Sequence, residues 1–88
     1  MEQKNTDNRI EENEEGMLLK IGELADFFGI SVKAVRIYEK KGILTPAYVD
    51  PESGYRYYTP DQLPQLSALL ELKALGFSLD EIKELMVG

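Results

Sequence analysis

The first half of the chain shows apolar residues at helical spacing in two adjacent segments. The first segment follows the i, i+3, i+4, i+7 pattern of a short amphipathic helix, at Ile21, Leu24, Ala25 and Phe28. It ends at Gly29, and two residues later Ser31 is a suitable N-cap for a second helix. The buried face of this second helix is predicted to be Val32, Val35 and Tyr38. Because so few residues join the two helices, they must cross steeply, as in a helix-turn-helix.

A β-hairpin is predicted after these two helices. Pro46 prevents the helix from continuing, and two β-prone runs at residues 47–49 and 55–58 flank a turn cluster at residues 50–54. Within that cluster, Gly54 can take the left-handed conformation that closes the loop. This segment is therefore expected to form two short antiparallel strands.

Two capping sequences mark the start of two further helices. A threonine N-cap, a proline and a glutamine at residues 59–62 begin a third helix. Its buried face is predicted to be Leu63, Leu66, Leu69, Leu70 and Leu75. Pro64 would then occupy the fifth helical position, where it removes one backbone hydrogen bond and distorts the first turn. After Gly76, a second capping box at residues 78–81 begins a fourth helix, with apolar positions Ile82, Leu85 and Met86.

The composition excludes several classes of function. A chain of 88 residues has room for one small domain. It contains no cysteine and no histidine, so a thiol nucleophile, a histidine base and a cysteine/histidine zinc site are all absent. We expect no enzyme activity, no cofactor and no bound metal. No apolar run approaches the roughly 18–20 residues of a membrane span, and the acidic N-terminus does not resemble a secretory signal, so we expect a cytoplasmic protein.

The net charge of −6 is distributed unevenly along the chain. Residues 1–16 carry six acids against two cations and almost no apolar side chains, which predicts a disordered acidic tail. Residues 31–58 carry a net charge of +2, whereas residues 17–30 and 59–88 carry −1 and −3. A polyanionic partner is therefore expected to bind the middle segment.

The outer face of the second helix carries the candidate binding residues, which are Lys33, Arg36, Ile37 and Lys40. Cations suit phosphates, and an exposed isoleucine suits a thymine methyl group. An ordinary solvated helix face would carry similar charges, so this helix alone leaves both interpretations open. The hairpin favours DNA, because Arg56 lies between Tyr55 and Tyr57 beside the turn, where a core role does not explain an arginine.

Five short motifs resemble, in their order and spacing, the N-terminal DNA-binding domain of the MerR family of bacterial transcription regulators. They are IGELA at 21–25, GISV and VRIYE at 29–32 and 35–39, GIL at 42–44, SGYRYY at 53–58, and LGFSL with EI at 75–79 and 81–82. The resemblance covers residues 17–88. It implies a mainly α-helical winged helix-turn-helix, with four helices and a two-stranded β-hairpin wing, after the tail at residues 1–16.

The resemblance also implies a function. Such domains bind double-stranded DNA sequence-specifically at pseudo-palindromic promoters, within effector-responsive regulators that act indirectly on RNA polymerase by untwisting the promoter. The residues expected to contact DNA are Ser31, Lys33, Arg36, Ile37, Tyr38, Lys40, Arg56 and Tyr57. The family dimerises through a helix beyond the fourth one. We therefore expect a homodimer for a full-length protein, and a monomeric or weakly associated state for this chain.

Two other functions are compatible with the sequence. In a protein-interaction module, the hairpin and the acidic last two helices would dock a partner, and the net charge favours this possibility. In a stand-alone, excisionase-like architectural protein, the same fold would bend DNA without an effector. The placement of the cations and the five ordered motifs favour DNA binding.

Overall fold

The computed structural model describes residues 17–88, and the predicted tail at residues 1–16 lies outside them. Within this range the chain forms four α-helices: α1 (Ile21–Phe28), α2 (Val32–Lys40), α3 (Leu63–Ala74) and α4 (Leu79–Met86). It also forms three strands: β1 (Leu19–Lys20), β2 (Tyr48–Val49) and β3 (Arg56–Tyr58). The four predicted helices and the hairpin, formed by β2 and β3, are thus all present in the predicted order.

The sheet contains a strand, β1, that the apolar pattern did not reveal. The strands are antiparallel in the order β1-β3-β2, with Leu19 opposite Tyr58 and Lys20 opposite Tyr57. On the other side of β3, Tyr48 lies opposite Tyr57. Since β1 has two residues, it is too short for alternation to be recognised. Its pairing fixes the start of α1 against the base of the wing.

The turn at the tip of the wing is closed by hydrogen bonds around Asp50. The Asp50 carboxylate accepts a hydrogen bond of 2.9 Å from the Glu52 backbone N–H, and the Asp50 carbonyl accepts one of 2.8 Å from the Gly54 N–H. Gly54 has a φ of +79°, as expected for the left-handed position of the loop. The hydrogen bond from Glu52 lowers the pKa of the Asp50 carboxyl, so the turn is best held when Asp50 is ionised.

Helix α3 begins differently from the prediction. A 3₁₀ turn covers Pro60–Gln62, and the α-helix starts at Leu63, so Pro64 lies in the first helical turn. A proline is tolerated there because its missing N–H would have had no intrahelical partner. The distortion predicted for the start of this helix is therefore a 3₁₀ turn that precedes the α-helix. Gln62 also donates a hydrogen bond of 2.7 Å to the Thr45 carbonyl, which ties α3 to the loop after α2.

The hydrophobic core draws on every helix and on β3. Its buried members are Leu24, Ala25, Val35, Tyr38, Ile43, Leu44, Tyr58, Leu66, Leu69 and Ile82. One predicted buried position is wrong, since Leu75 is 75% exposed, and Leu85, one of the apolar positions that predicted α4, is 60% exposed. Leu75 follows the last residue of α3 and so leaves the buried face of that helix. Leu85 lies on the outer side of the short α4, while Ile82 faces the core.

Candidate nucleic-acid interface

Helix α2 is fixed at its start by the predicted cap. The Ser31 hydroxyl oxygen accepts a hydrogen bond of 3.0 Å from the Ala34 backbone N–H. This hydrogen bond satisfies one of the backbone N–H groups that have no partner within the first turn of the helix. The structure thus shows a structural role for Ser31, and its expected contact with DNA stays a prediction.

The outer face of α2 and the wing meet in one cleft of about 420 Å³, called here the α2–wing cleft. It is lined by Lys33, Arg36, Ile37, Glu39, Lys40 and Arg56. Lys33, Arg36 and Lys40 are exposed, and Ile37 is 39% exposed, as the periodicity predicted. The structure therefore brings the predicted residues of α2 together with the predicted wing arginine.

An ion pair crosses this cleft between α2 and β3. The Nε atom of Arg56 lies 2.6 Å from Oε1 of Glu39. The Glu39 side chain is 10% exposed, whereas that of Arg56 is 44% exposed. Burial raises the pKa of the Glu39 carboxyl, although the charges of Arg56 and Arg36 act in the opposite direction. The second carboxylate oxygen, Oε2, is buried and has no hydrogen-bond partner among residues 17–88.

The role of Glu39 was not predicted from the sequence. It belongs to the VRIYE motif, which does not by itself indicate a role for this carboxylate. One signal was available, because Glu39 is an acid among the cations of a helix face that was expected to bind a polyanion. Its partner lies 17 residues further along the chain, and the spacing of residues within α2 does not indicate such a pair.

Three of the predicted contact residues, Ser31, Tyr38 and Tyr57, do not line the α2–wing cleft. Tyr38 is 3% exposed and belongs to the core, because it continues the inner stripe of α2 that includes Val35. Burial raises the pKa of its hydroxyl group. Tyr57 is partly buried, and its ring lies 6.0 Å from that of Tyr48 on the neighbouring strand. The burial of Tyr38 agrees with its predicted place on the buried face of the second helix, and its expected contact with DNA stays a prediction. The packing of Tyr57 stabilises the wing.

A second cleft, of about 550 Å³, lies between α1, α2 and the turn of the wing. Lys20, Glu23 and Asp26 line one side, and Tyr55 of the wing lines another. Arg36 and Arg56 border this cleft as well as the α2–wing cleft. Lys20 is a further cation beside the wing that sequence reasoning missed, because β1 was not recognised.

Lys41, the basic residue that follows α2, forms an ion pair with α4. Lys41 Nζ lies 3.0 Å from Asp80 Oδ1, so this cation joins α2 to α4. Within residues 17–88 no group of three or more potential metal ligands is found. No helix of this part of the chain has the length and apolar character needed to cross a membrane.

The sequence and the fold are both similar to known regulators. The family described as MerR HTH family regulatory protein matches residues 19–88. The multidrug-efflux transporter 1 regulator of Bacillus subtilis (strain 168) is 45% identical over 64 residues, which are 73% of this chain and 23% of that protein. The HTH-type transcriptional regulator CueR of Escherichia coli O6:H1 is 40% identical over 68 residues, covering 77% of this chain and 50% of that protein. This chain thus spans about a quarter to a half of these relatives.

Two solved structures show the same fold. One is HiNmlR, a MerR family regulator lacking the sensor domain and bound to promoter DNA, with 36% identity and a TM-score of 0.70 over 80% of this chain and 55% of that one. The other is MtaN, the N-terminus of the Bacillus subtilis multidrug transporter activator, with 34% identity and a TM-score of 0.68 over 74% of this chain and 60% of that one. These likenesses confirm the predicted mainly α-helical, winged helix-turn-helix fold. Since the family match also covers most of the residues, the chain belongs to the MerR helix-turn-helix family of regulatory proteins.

Proposed function

We propose that residues 17–88 read promoter DNA for a transcription regulator. In this proposal α2 enters the major groove of the duplex and the wing contacts the flanking backbone. The observation that supports it most is the α2–wing cleft, where the cations of two separate elements converge although the whole chain carries a charge of −6. The likeness to a family member bound to promoter DNA gives independent support.

The residues of the cleft suit different kinds of contact. Arg36 lies at the middle of the exposed face of α2, so it is our candidate for a bidentate contact to guanine. Ile37 is exposed beside it and suits a thymine methyl group. Lys33, Lys40 and Arg56 surround these two residues and are assigned to phosphates. Ser31, Tyr38 and Tyr57 are assigned further contacts through their hydroxyl groups.

The properties of a whole regulator are also part of the proposal. The relatives are regulators that extend well beyond the length of this chain. By analogy, we infer a cytoplasmic, effector-responsive protein that binds a pseudo-palindromic promoter as a homodimer and affects RNA polymerase indirectly. Family membership supports this function over a protein-interaction module, a stand-alone DNA-bending protein or an enzyme.

Variants of α2 test the proposal. The 88-residue chain is titrated with a 20-base-pair duplex that it has itself selected from a random-sequence pool, and with a scrambled duplex. We expect Arg36→Ala to reduce the preference for the selected duplex by about 1–3 kcal/mol. We expect Lys40→Ala to weaken binding to both duplexes alike and to reduce the slope of log K against log salt by about 0.9.

A matched control removes the same charge elsewhere. Lys73 is exposed near the end of α3 and does not line the α2–wing cleft. Lys73→Ala should therefore leave the sequence preference and the salt slope nearly unchanged. If Arg36→Ala and Lys40→Ala bind both duplexes as well as this control does, α2 is not the DNA-binding element and a protein-interaction role takes its place.

A further inference from the structure

We propose that Glu39 is the positioning residue of the wing, holding Arg56 so that the rest of its guanidinium group is free to bind a DNA phosphate. This inference rests on the proposed DNA-binding function. Glu39 engages Arg56 through Nε. The two Nη groups of Arg56 then remain as donors, on a side chain that is 44% exposed. A guanidinium oriented in this way suits the bidentate geometry of a phosphate.

The ion pair joins two elements that have to act together. Glu39 belongs to α2, and Arg56 belongs to β3 in the wing. Among residues 17–88 it is the only ion pair between α2 and the wing. Fixing the wing relative to α2 fixes the distance between the cations that would bind neighbouring phosphates. The pair therefore suits a role in setting the geometry of the whole interface.

The burial of Glu39 distinguishes this pair from an incidental surface contact. Exposed ion pairs contribute little, because water and salt screen them and their long side chains lose entropy. The Glu39 side chain is nearly buried, and its Oε2 atom has no hydrogen-bond partner in the described part of the chain. An ionised carboxylate in such a place depends on the arginine beside it. Burying this carboxylate next to Arg56 therefore costs solvation free energy, as expected of a residue with a specific task.

The direction in which DNA affinity changes when Glu39 is removed tests the proposal. A carboxylate on a surface that faces phosphates repels them, so removing it should strengthen binding if charge is all that matters. If Glu39 instead positions Arg56, removing it should weaken DNA binding, although the face loses a negative charge. The two accounts therefore predict opposite changes for the same variant.

The test compares two alanine variants that lose the same charge. Glu39→Ala and Glu52→Ala are measured in the 88-residue chain at 0.1 M salt, with the self-selected and scrambled duplexes. Glu52 is exposed in the turn of the wing and forms no ion pair within the described part of the chain. We expect Glu39→Ala to weaken binding to both duplexes by roughly eightfold, the effect of one lost phosphate contact, and to reduce the salt slope by about 0.9. Glu52→Ala should bind equally or more tightly.

A double variant shows whether Glu39 acts through Arg56. In an Arg56→Ala background the positioning role is already lost, so adding Glu39→Ala should cause no further weakening. Equal weakening by Glu39→Ala with and without Arg56 would overturn the proposal. The proposal would also be overturned if Glu39→Ala bound DNA as tightly as Glu52→Ala, or more tightly. Melting curves show whether each variant is folded at the assay temperature, and Glu39→Gln, which also removes the charge, replaces Glu39→Ala with the same two outcomes if it is not.

Failure of this proposal can be told apart from failure of the proposed function. If Arg36→Ala weakens binding and Glu39→Ala does not, the domain reads DNA and Glu39 has no positioning role. If none of the variants in α2 or the wing weakens binding, both proposals are wrong.

Discussion

At the scale of single residues, the partly buried pair of Glu39 and Arg56 links stability to pH. Burial raises the pKa of Glu39 above its ordinary value of 4.5, so the folded protein holds this proton more tightly than the unfolded chain does. The contribution of Glu39 to stability is therefore greatest below that value and falls as the pH rises through the raised pKa. Arg56 opposes this loss by stabilising the charged form.

We therefore expect the cost of Arg56→Ala to depend on pH. At pH 7 the variant leaves a nearly buried carboxylate without its partner, which should lower the free energy of unfolding by about 1–3 kcal/mol. Near pH 4 Glu39 is largely protonated in the folded state, so the loss should be clearly smaller. Thermal melting followed by circular dichroism at both pH values measures the difference. An equal loss at pH 4 and pH 7 would contradict this account of Glu39.

The residue scale also shows where sequence reasoning succeeds and where it stops. The exposed positions Lys33, Arg36 and Ile37 follow from the period of a single helix, and the structure places them as predicted. The partnership of Glu39 with Arg56 depends on how the hairpin approaches α2. No local pattern encodes that approach, so this pair could be found only in the folded structure.

At the scale of elements, the start of α2 depends on Ser31. Removing the hydroxyl group that accepts the Ala34 N–H should cost about 1 kcal/mol in Ser31→Ala, whereas Ser31→Asn keeps a capping oxygen and should lose only a few tenths. Urea unfolding curves measure both variants. The control is Ser67→Ala at an exposed position inside α3, where alanine is the better helix former and should be neutral or slightly stabilising. An unchanged stability of Ser31→Ala would show that the cap has no energetic role.

The elements differ in how well the sequence predicts them. The helices and the hairpin carry repeated apolar positions, capping residues or turn residues, and all of them are present in the predicted order, although α3 begins later than predicted. Strand β1 has two residues and exists because β3 offers it an edge, which is a tertiary cause. The 3₁₀ turn before α3, by contrast, is a local feature. It places Pro64 in the first turn of the α-helix, where its missing N–H removes no hydrogen bond.

At the scale of the whole molecule, the 88-residue chain is expected to be monomeric or weakly associated at micromolar concentration. The described helices are 8 to 12 residues long, and exposed apolar side chains such as Phe27 and Leu85 lie on different helices. They do not form the long apolar seam that a coiled-coil dimer needs. Sedimentation velocity should therefore show mainly a species near 10.0 kDa. A tight dimer would mean that one of these exposed surfaces is an interface.

The most direct test of the central claim is to locate the DNA-binding surface on the whole molecule. Backbone amide spectra of the ¹⁵N-labelled 88-residue chain are recorded as the self-selected duplex is added. We predict that the largest shifts and broadening fall on residues 31–40 of α2 and residues 54–57 of the wing, while α4 is little affected. Perturbations concentrated on the exposed apolar and acidic surface of α4, with α2 and the wing unchanged, would contradict the claim that the α2–wing cleft reads DNA.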